Sequence, residues 1–286
     1  MPFIPELFSA PVLARIEERR HGRLTGVPFF DGLMTGELAA LVGSFAGEPE
    51  VYQPVRGRIK GASAFVRFVT DTTTWMAERD VTVEDVNFIV TPSRGVEEFV
   101  LHVGGDADPI ELPMALAADL DPDARMTELR IYFSRWPLSR VRGIRPPLLQ
   151  PDPDLQAPDV VGEYHRALAA GDVDAVVAAF ESDGSVSEMV DGAYTHCGAD
   201  EIRAFYELLL SDGGGIPLEL CAATDDGRAC ALEYNTVSRE QIQSPPGAGI
   251  AVYLRGASGK LAAARIYDPR PGAGLTSNDQ ATEGSR

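Results

Sequence analysis

The chain has 286 residues, 44% of them hydrophobic, which suits about two globular domains and excludes a disordered composition. Its 43 acidic residues outnumber 25 basic ones, giving a formal charge of −18. A surface of that sign repels nucleic acid, so any partner is expected to be neutral, apolar or cationic, and most of the charge is read as serving solubility.

Residues 1–20 read as a short arm, because Pro2, Pro5 and Pro11 prevent a long helix. This stretch has no basic segment followed by an apolar one, so no secretory signal is expected. No apolar run approaches the ~20 residues of a membrane span. A first domain is expected at 21–137. Six prolines fall between 137 and 158, and residues 138–158 read as a semi-rigid linker packed over the domains. A second domain is expected at 159–271, followed by a small, polar, disordered tail at 272–286. The three cysteines, Cys197, Cys221 and Cys230, are odd in number and lack paired spacing. They suggest neither a disulfide framework nor a zinc site, and they fit a reducing cytoplasm.

The two domains are expected to be copies. A shift of 135 places Gly36 on Gly171, Phe45 on Phe180, Val51 on Val186, Glu98 on Glu233, and Arg130-Ile131-Tyr132 on Arg265-Ile266-Tyr267. In the second copy Val160, Tyr164, Ala167 and Leu168 recur at helical spacing, Gly171 ends that helix, and Asp172 is placed to cap the next. Val173, Val176, Val177 and Phe180 stripe the second helix. A strand is expected at 185–190, and a third helix from Asp200 with Ile202, Phe205, Tyr206 and Leu209 inward. Strands are then expected at 217–223, 229–238, 249–255 and 260–268. Helices on one side of a mostly antiparallel sheet give an α+β architecture with a pocket between the layers.

The second half resembles the SnoaL-like / nuclear-transport-factor-2-like superfamily, and within it the ketosteroid isomerases. The segments that carry the resemblance are EYHRALAAGDVDAVVAAFESDGSVSEMVDG, CGADEIRAFYELL and GKLAAARIYDP. The first half shows a weaker version in MTGELAALVGSFAGEPEVYQPVRG, KGASAFVRFV and TELRIYFSRWP. The resemblance implies two tandem cone-shaped α+β barrels, each with three helices packed on a curved, mostly antiparallel sheet. It also implies an internal pseudo-dimer, with homodimerisation as a further option.

The resemblance implies that Tyr164 is an oxyanion donor and Glu188 the general base. The position of the family's third group, an acid, falls at Ala251. A carboxylate in an apolar pocket becomes a usable base near neutral pH, and a phenol can donate to a developing oxyanion. Val186, Glu188 and Val190 alternate onto one face, an unusual place for an unpaired carboxylate. His196 is a further candidate acid near the pocket mouth. Glu219 is a second carboxylate of the kind used by the superfamily's tandem epoxide-opening cyclases. Tyr164 equally suits the core, His196 a loop, and Glu219 an exposed strand. The first copy has Phe29 and Gln53 in place of Tyr164 and Glu188. It keeps Tyr52, Arg56, Trp75 and His102 without an acid–base pair, so its pocket reads as degenerate.

Strand alternation turns Arg130 and Arg265 away from the pocket, with Glu98 and Glu233 as expected cross-strand partners in structural pairs at about 0.2–1 kcal/mol each, a domain–domain or dimer surface being one place for them. Ile131 and Ile266 fill the slot where limonene-epoxide-hydrolase-like relatives carry an acid. Asp268 has pocket-side parity but lies near a strand end. The expected function is cofactor-free and metal-free isomerase or cyclase chemistry on a small, apolar, oxygen-bearing molecule, in the setting of bacterial secondary metabolism that the resemblance suggests. The rivals are an epoxide hydrolase or cyclase using Glu188 with Glu219, and a non-catalytic binding or scaffolding module.

Overall fold

A computed structural model describes residues 38–104, 110–140, 143–189, 194–211, 214–237 and 245–268. The expected arm and tail, Phe29, Gly36 and Val190 lie outside the described residues.

The first unit runs α1 (Leu38–Gly43), β1 (Glu50–Gln53), β2 (Gly57–Lys60), α2 (Ala62–Ala77), β3 (Thr82–Val90), β4 (Arg94–Val103), β5 (Ile110–Leu120) and β6 (Met126–Tyr132), then a single turn, α3 (Trp136–Ser139). The second runs α4 (Asp159–Ala170), α5 (Val173–Ala178), β7 (Phe180–Glu188), β8 (Tyr194–Cys197), α6 (Gly198–Leu209), β9 (Leu218–Asp225), β10 (Ala229–Thr236), β11 (Ala248–Arg255) and β12 (Leu261–Tyr267). The sheets have the same order, β2-β1-β6-β5-β4-β3 and β8-β7-β12-β11-β10-β9. Within each, only the pairing of the first strand with the last is parallel: β1 with β6 and β7 with β12. The expected duplicated α+β architecture is therefore the one observed, with six strands per sheet rather than the five that alternation suggested. The extra strand, β8, is four residues long, too short for a period-two pattern to announce it.

Local chemistry explains the helix ends. Gly171 closes α4 in the left-handed region at φ 73, and the Asp172 side chain caps α5 by accepting from the Ala175 amide at 3.0 Å. α6 begins two residues before Asp200, where Glu201 reaches back to accept from the Cys197 amide at 2.8 Å.

Each sheet buries one face against helices. In the second unit Val160, Tyr164 and Leu168 of α4 and Ile202, Phe205 and Tyr206 of α6 pack with Val186, Leu232, Ala251 and Tyr253 of the strands. The opposite faces meet each other. Ile89, Val96, Ala115, Ala117 and Tyr132 of one sheet form a third apolar core with Ala229, Ala231, Ile250, Val252, Ala263 and Tyr267 of the other.

Buried ions cross this junction. Arg130 donates from Nε and Nη2 to Glu233 at 2.6 and 2.9 Å, and Tyr132 adds its hydroxyl at 2.7 Å. Reciprocally, Arg265 donates from Nε to Glu98 at 2.7 Å and also from Nη2, while Tyr267 donates at 2.9 Å and Asn87 at 3.0 Å. The partner types match the sequence reading, but they are exchanged between units rather than paired across strands of one sheet. The cause is that both side chains leave their sheets on the face that meets the other unit. The estimate of 0.2–1 kcal/mol for an exposed cross-strand pair therefore does not apply, because these groups are fully buried. Residue i contacts j and the copy of j contacts the copy of i, the reciprocity of a two-fold interface.

The proline-rich segment is bonded to both units. The Arg145 guanidinium donates to the Ile131 carbonyl, the Arg145 carbonyl accepts from the Ala248 amide at 2.8 Å, and the Leu149 carbonyl accepts from Asn235 at 3.0 Å.

Candidate functional site

β7 presents Val186 and Glu188 to the helix side, while Ser187 points to the other face and bonds Thr195 at 3.0 Å. Glu188 is half-buried at the strand end. Its row across the sheet reads Tyr194, Glu188, Ile266, Ala251, Leu232, Ala223. Ala251, where the resemblance would put a second acid, is thus in Glu188's own row, and the row is otherwise apolar apart from the Tyr194 hydroxyl.

Tyr164 is 1% exposed, and its hydroxyl lies 2.6 Å from that of Tyr206 on α6. Its ring meets Phe180 edge-on at 5.8 Å and Tyr253 at 5.4 Å. The space expected as a pocket around Tyr164 is therefore filled by aromatic side chains. Burial drives the Tyr206 phenol well above its ordinary range. Tyr164 adds to this through its charge and its hydrogen bond, and the nearby charges of Tyr253 and Glu188 add further. Tyr206 therefore keeps its proton and is close enough to Glu188 to feel its charge, and either hydroxyl of the pair can be the donor. Two hydroxyls carry two protons and share one between them, so the pair can donate one proton to a third oxygen.

His196 stands opposite Val186, so it shares Glu188's face; it stacks on Phe205 at 4.5 Å. Burial lowers its pKa, partly offset by Glu201, and it is neutral near pH 7. Glu219 is a correction. It is exposed and pairs with Asn235, whereas the neighbouring Leu220 pairs with Tyr234 on the helix side. Glu219 therefore points to the face opposite Glu188, and the two carboxylates cannot converge on one ligand. The five residues of the SDGGG turn left its register open in the sequence.

One pair was missed. Tyr234 donates to Asp268 at 3.2 Å, and the two are 2% and 5% exposed. They meet across Gly249, where a Cβ would lie 2.8 Å from both the Tyr234 ring and the Asp268 Cβ. Gly249 pairs with Tyr234 in the row next to Glu188's, on the same face. The shift of 135 carried the signal. Tyr234, Gly249 and Asp268 stand where the first copy has Phe99, Met114 and Phe133, and Tyr206 stands where it has Asp71. Phe99 and Met114 are apolar core, and Asp71 is a surface partner of Arg56 at 2.7 Å. Gln53, the counterpart of Glu188, turns back to accept from the amides of Val55 and Arg56 at 2.7 and 2.6 Å. The first copy thus converts the corresponding positions to core, surface or turn. Its remaining polar residues form local pairs, such as Tyr52 with Glu50 at 2.9 Å and His102 with Glu84 at 2.9 Å.

Among the described residues no group of His, Cys, Asp and Glu is placed to hold a metal ion, and the three cysteines are unpaired with one another. No described helix is long and apolar enough to cross a membrane.

No protein-family profile and no curated protein matches the sequence. Solved structures do. An epoxide hydrolase/cyclase-like enzyme, SalBIII, of pyran ring formation in the polyether salinomycin is 21% identical over 38% of this chain and 87% of its own, with a TM-score of 0.33. A protein of unknown function from Cytophaga hutchinsonii described as NTF2-like is 15% identical over 37% and 92%, at 0.31. A putative polyketide cyclase from Sinorhizobium meliloti is 17% identical over 36% and 88%, at 0.30. Each spans about one unit of this chain, and at these scores none bears on its chemistry.

Proposed function

We propose that the helix-side face of the second unit performs cofactor-free acid–base chemistry of the isomerase or cyclase type on a small, largely apolar, oxygen-bearing molecule. Glu188 is the base, and the Tyr164–Tyr206 hydroxyl pair donates to the oxygen that gains charge. Asp268, held by Tyr234, is the second carboxyl group on that face, and His196 a neutral group at its edge. The observation that carries this reading is the asymmetry of the copies: Glu188, Tyr234, Gly249 and Asp268 differ from their first-copy counterparts in the direction of ionisable or space-making residues, and Tyr206 puts a buried phenol where the first copy has the surface carboxylate Asp71. The first unit acts as an internal dimer partner, supported by the reciprocal ion pairs.

The test is mass spectrometry of a small molecule that co-purifies with the protein, followed by its turnover. Glu188→Gln is expected to lower kcat by about 10²- to 10⁴-fold. Unchanged turnover would remove Glu188 as the base. The full burial of Tyr164 and Tyr206 favours a second reading, a module that binds a ligand without converting it. Recovery of the co-purified molecule chemically intact after prolonged incubation would support that reading.

A further inference from the structure

A cavity of about 290 Å³ opens at the junction of the two units, away from the face just described. The β1–β2 turn, the segment after β6 and residues 143–148 form most of its wall, and Ala248 and Tyr267 close it from the second unit. Among the described residues sixteen line it, including Arg58, Arg135 and Arg145 and no Asp or Glu. A patch of that size drawn from this acidic chain would carry about two acids, so the local charge is opposite to that of the whole molecule.

The three arginines are not equally committed. Arg58 is held by Glu50 through Nε at 2.7 Å and Nη2 at 2.6 Å. Arg145 lies over the Tyr132 ring at 5.0 Å and donates to the Ile131 carbonyl. The buried carboxylate that its charge senses, Glu233, is already taken by Arg130 and by the Tyr132 hydroxyl. Among the described residues neither Arg145 nor Arg135 has a carboxylate within ion-pair distance. Arg135 is half-buried, and its Nη2 stands 2.6 Å from where a Cβ on Gly143 would be, so the missing side chain at Gly143 makes room for the guanidinium. Burying a guanidinium without a counter-charge is costly, and a bound anion would relieve that cost. Burial also lowers Arg145 to about 10, in keeping with a missing counter-ion. The rest of the wall mixes apolar surface from Phe133, Ile144, Pro146 and Leu148 with the neutral polar groups of Tyr52, Gln53 and Ser134. Tyr132 and Tyr267 offer their rings there, since their hydroxyls are bound to Glu233 and Glu98.

We propose that this junction cavity binds a small organic anion, with its carboxylate or phosphate on Arg135 and Arg145 and its apolar body against Phe133, Ile144 and Leu148. Guanidinium groups suit both oxyanions through paired N–H donors. Because the walls come from both units, the ligand would strengthen the junction and raise the unfolding temperature of the whole chain.

The test is calorimetric titration of the full chain with phenylacetate, phenyl phosphate and neutral 2-phenylethanol. One or both anions are expected to bind saturably and raise Tm, and the alcohol is not. The tighter of the two anions identifies the headgroup. Arg135→Gln is expected to weaken anion binding about tenfold or more while leaving the ligand-free Tm unchanged. That variant spares Arg145, whose loss would also break its bond to β6. Glu188→Gln is expected to bind the anions as the parent does, which separates this site from the proposed catalytic face. Equal binding of the alcohol, no saturable binding of either anion, or an unaltered affinity in Arg135→Gln would overturn the proposal.

Discussion

His165 lies on α4 beside Tyr164, edge-on to its ring at 5.4 Å and to Tyr253 at 5.4 Å. Part of the residue is exposed, but its Nε2 is buried with no hydrogen-bond partner among the described residues. Burial lowers its pKa from 6.5 to about 4. Between those values the unfolded chain binds a proton that the folded chain excludes, so stability is full above about pH 6.5 and falls as pH drops toward 4. The loss attributable to His165 is up to roughly 3 kcal/mol and levels off below pH 4. His196, also lowered, acts in the same direction. Urea midpoints measured from neutral pH down to about 4.5 are expected to fall, and His165→Gln to flatten that slope. At this scale the sequence exposed Glu188 and Tyr164 but not their neighbours. Tyr206 read as one inward residue of a helix stripe, and only its contact with Tyr164 across two helices makes it part of a donor pair. Tyr234 and Asp268 lie 34 residues apart in sequence. They meet because Gly249 on the intervening strand has no side chain.

Among the elements, helices and their ends were the most legible, because caps and the 3.6-residue period are local properties. The Gly171 turn illustrates a residue under two constraints. Its φ is 73, and a Cβ there would lie 3.2 Å from the backbone of Gly214 and Gly215. Gly227 shares the left-handed conformation at φ 85 but faces open space. Alanine at either position costs about 1–2 kcal/mol in backbone strain. Gly171→Ala is expected to lose about 1–3 kcal/mol more than Gly227→Ala, because the neighbouring backbone must move. Urea denaturation of the two variants side by side measures the difference, and equal losses would mean that the turn yields freely. Strand register was less legible. Both copies carry a bulge at one position, skipping Val86 in β3 and Cys221 in β9, beside Glu98 and Glu233 respectively. The extra residue reverses the parity that decides which side chains face the helices. In β9 this bulge adds to the open register of the SDGGG turn and puts Glu219 on the face away from the helices.

For the whole molecule the junction between sheets is the controlling feature. Burial opposes the Arg265 charge, but the charge and hydrogen bonds of Glu98 overcome that and hold its pKa above the ordinary value. Arg265→Met would leave Glu98 buried with, among the described residues, Tyr267 and Asn87 as its remaining hydrogen-bond partners, and it is expected to cost about 3–5 kcal/mol in urea denaturation. Adding Glu98→Leu is expected to restore most of that loss, because the pair then becomes part of the apolar core around it. A cost below about 1 kcal/mol for Arg265→Met alone would show that solvent reaches Glu98. The sequence by itself determined the duplication, the α+β class and the apolar stripes of the helices, because each follows from local period or from a fixed offset between copies; it carried Phe180 into the second helix, where the structure starts β7 with it. Only the tertiary structure decided that the ion pairs cross between units, that Glu219 and Glu188 lie on opposite faces, that Asp268 joins Tyr234, and that an acidic chain holds an arginine-lined cavity. Those facts depend on distances between residues far apart in sequence, and those distances are set when bulged strands and alanine faces pack against one another.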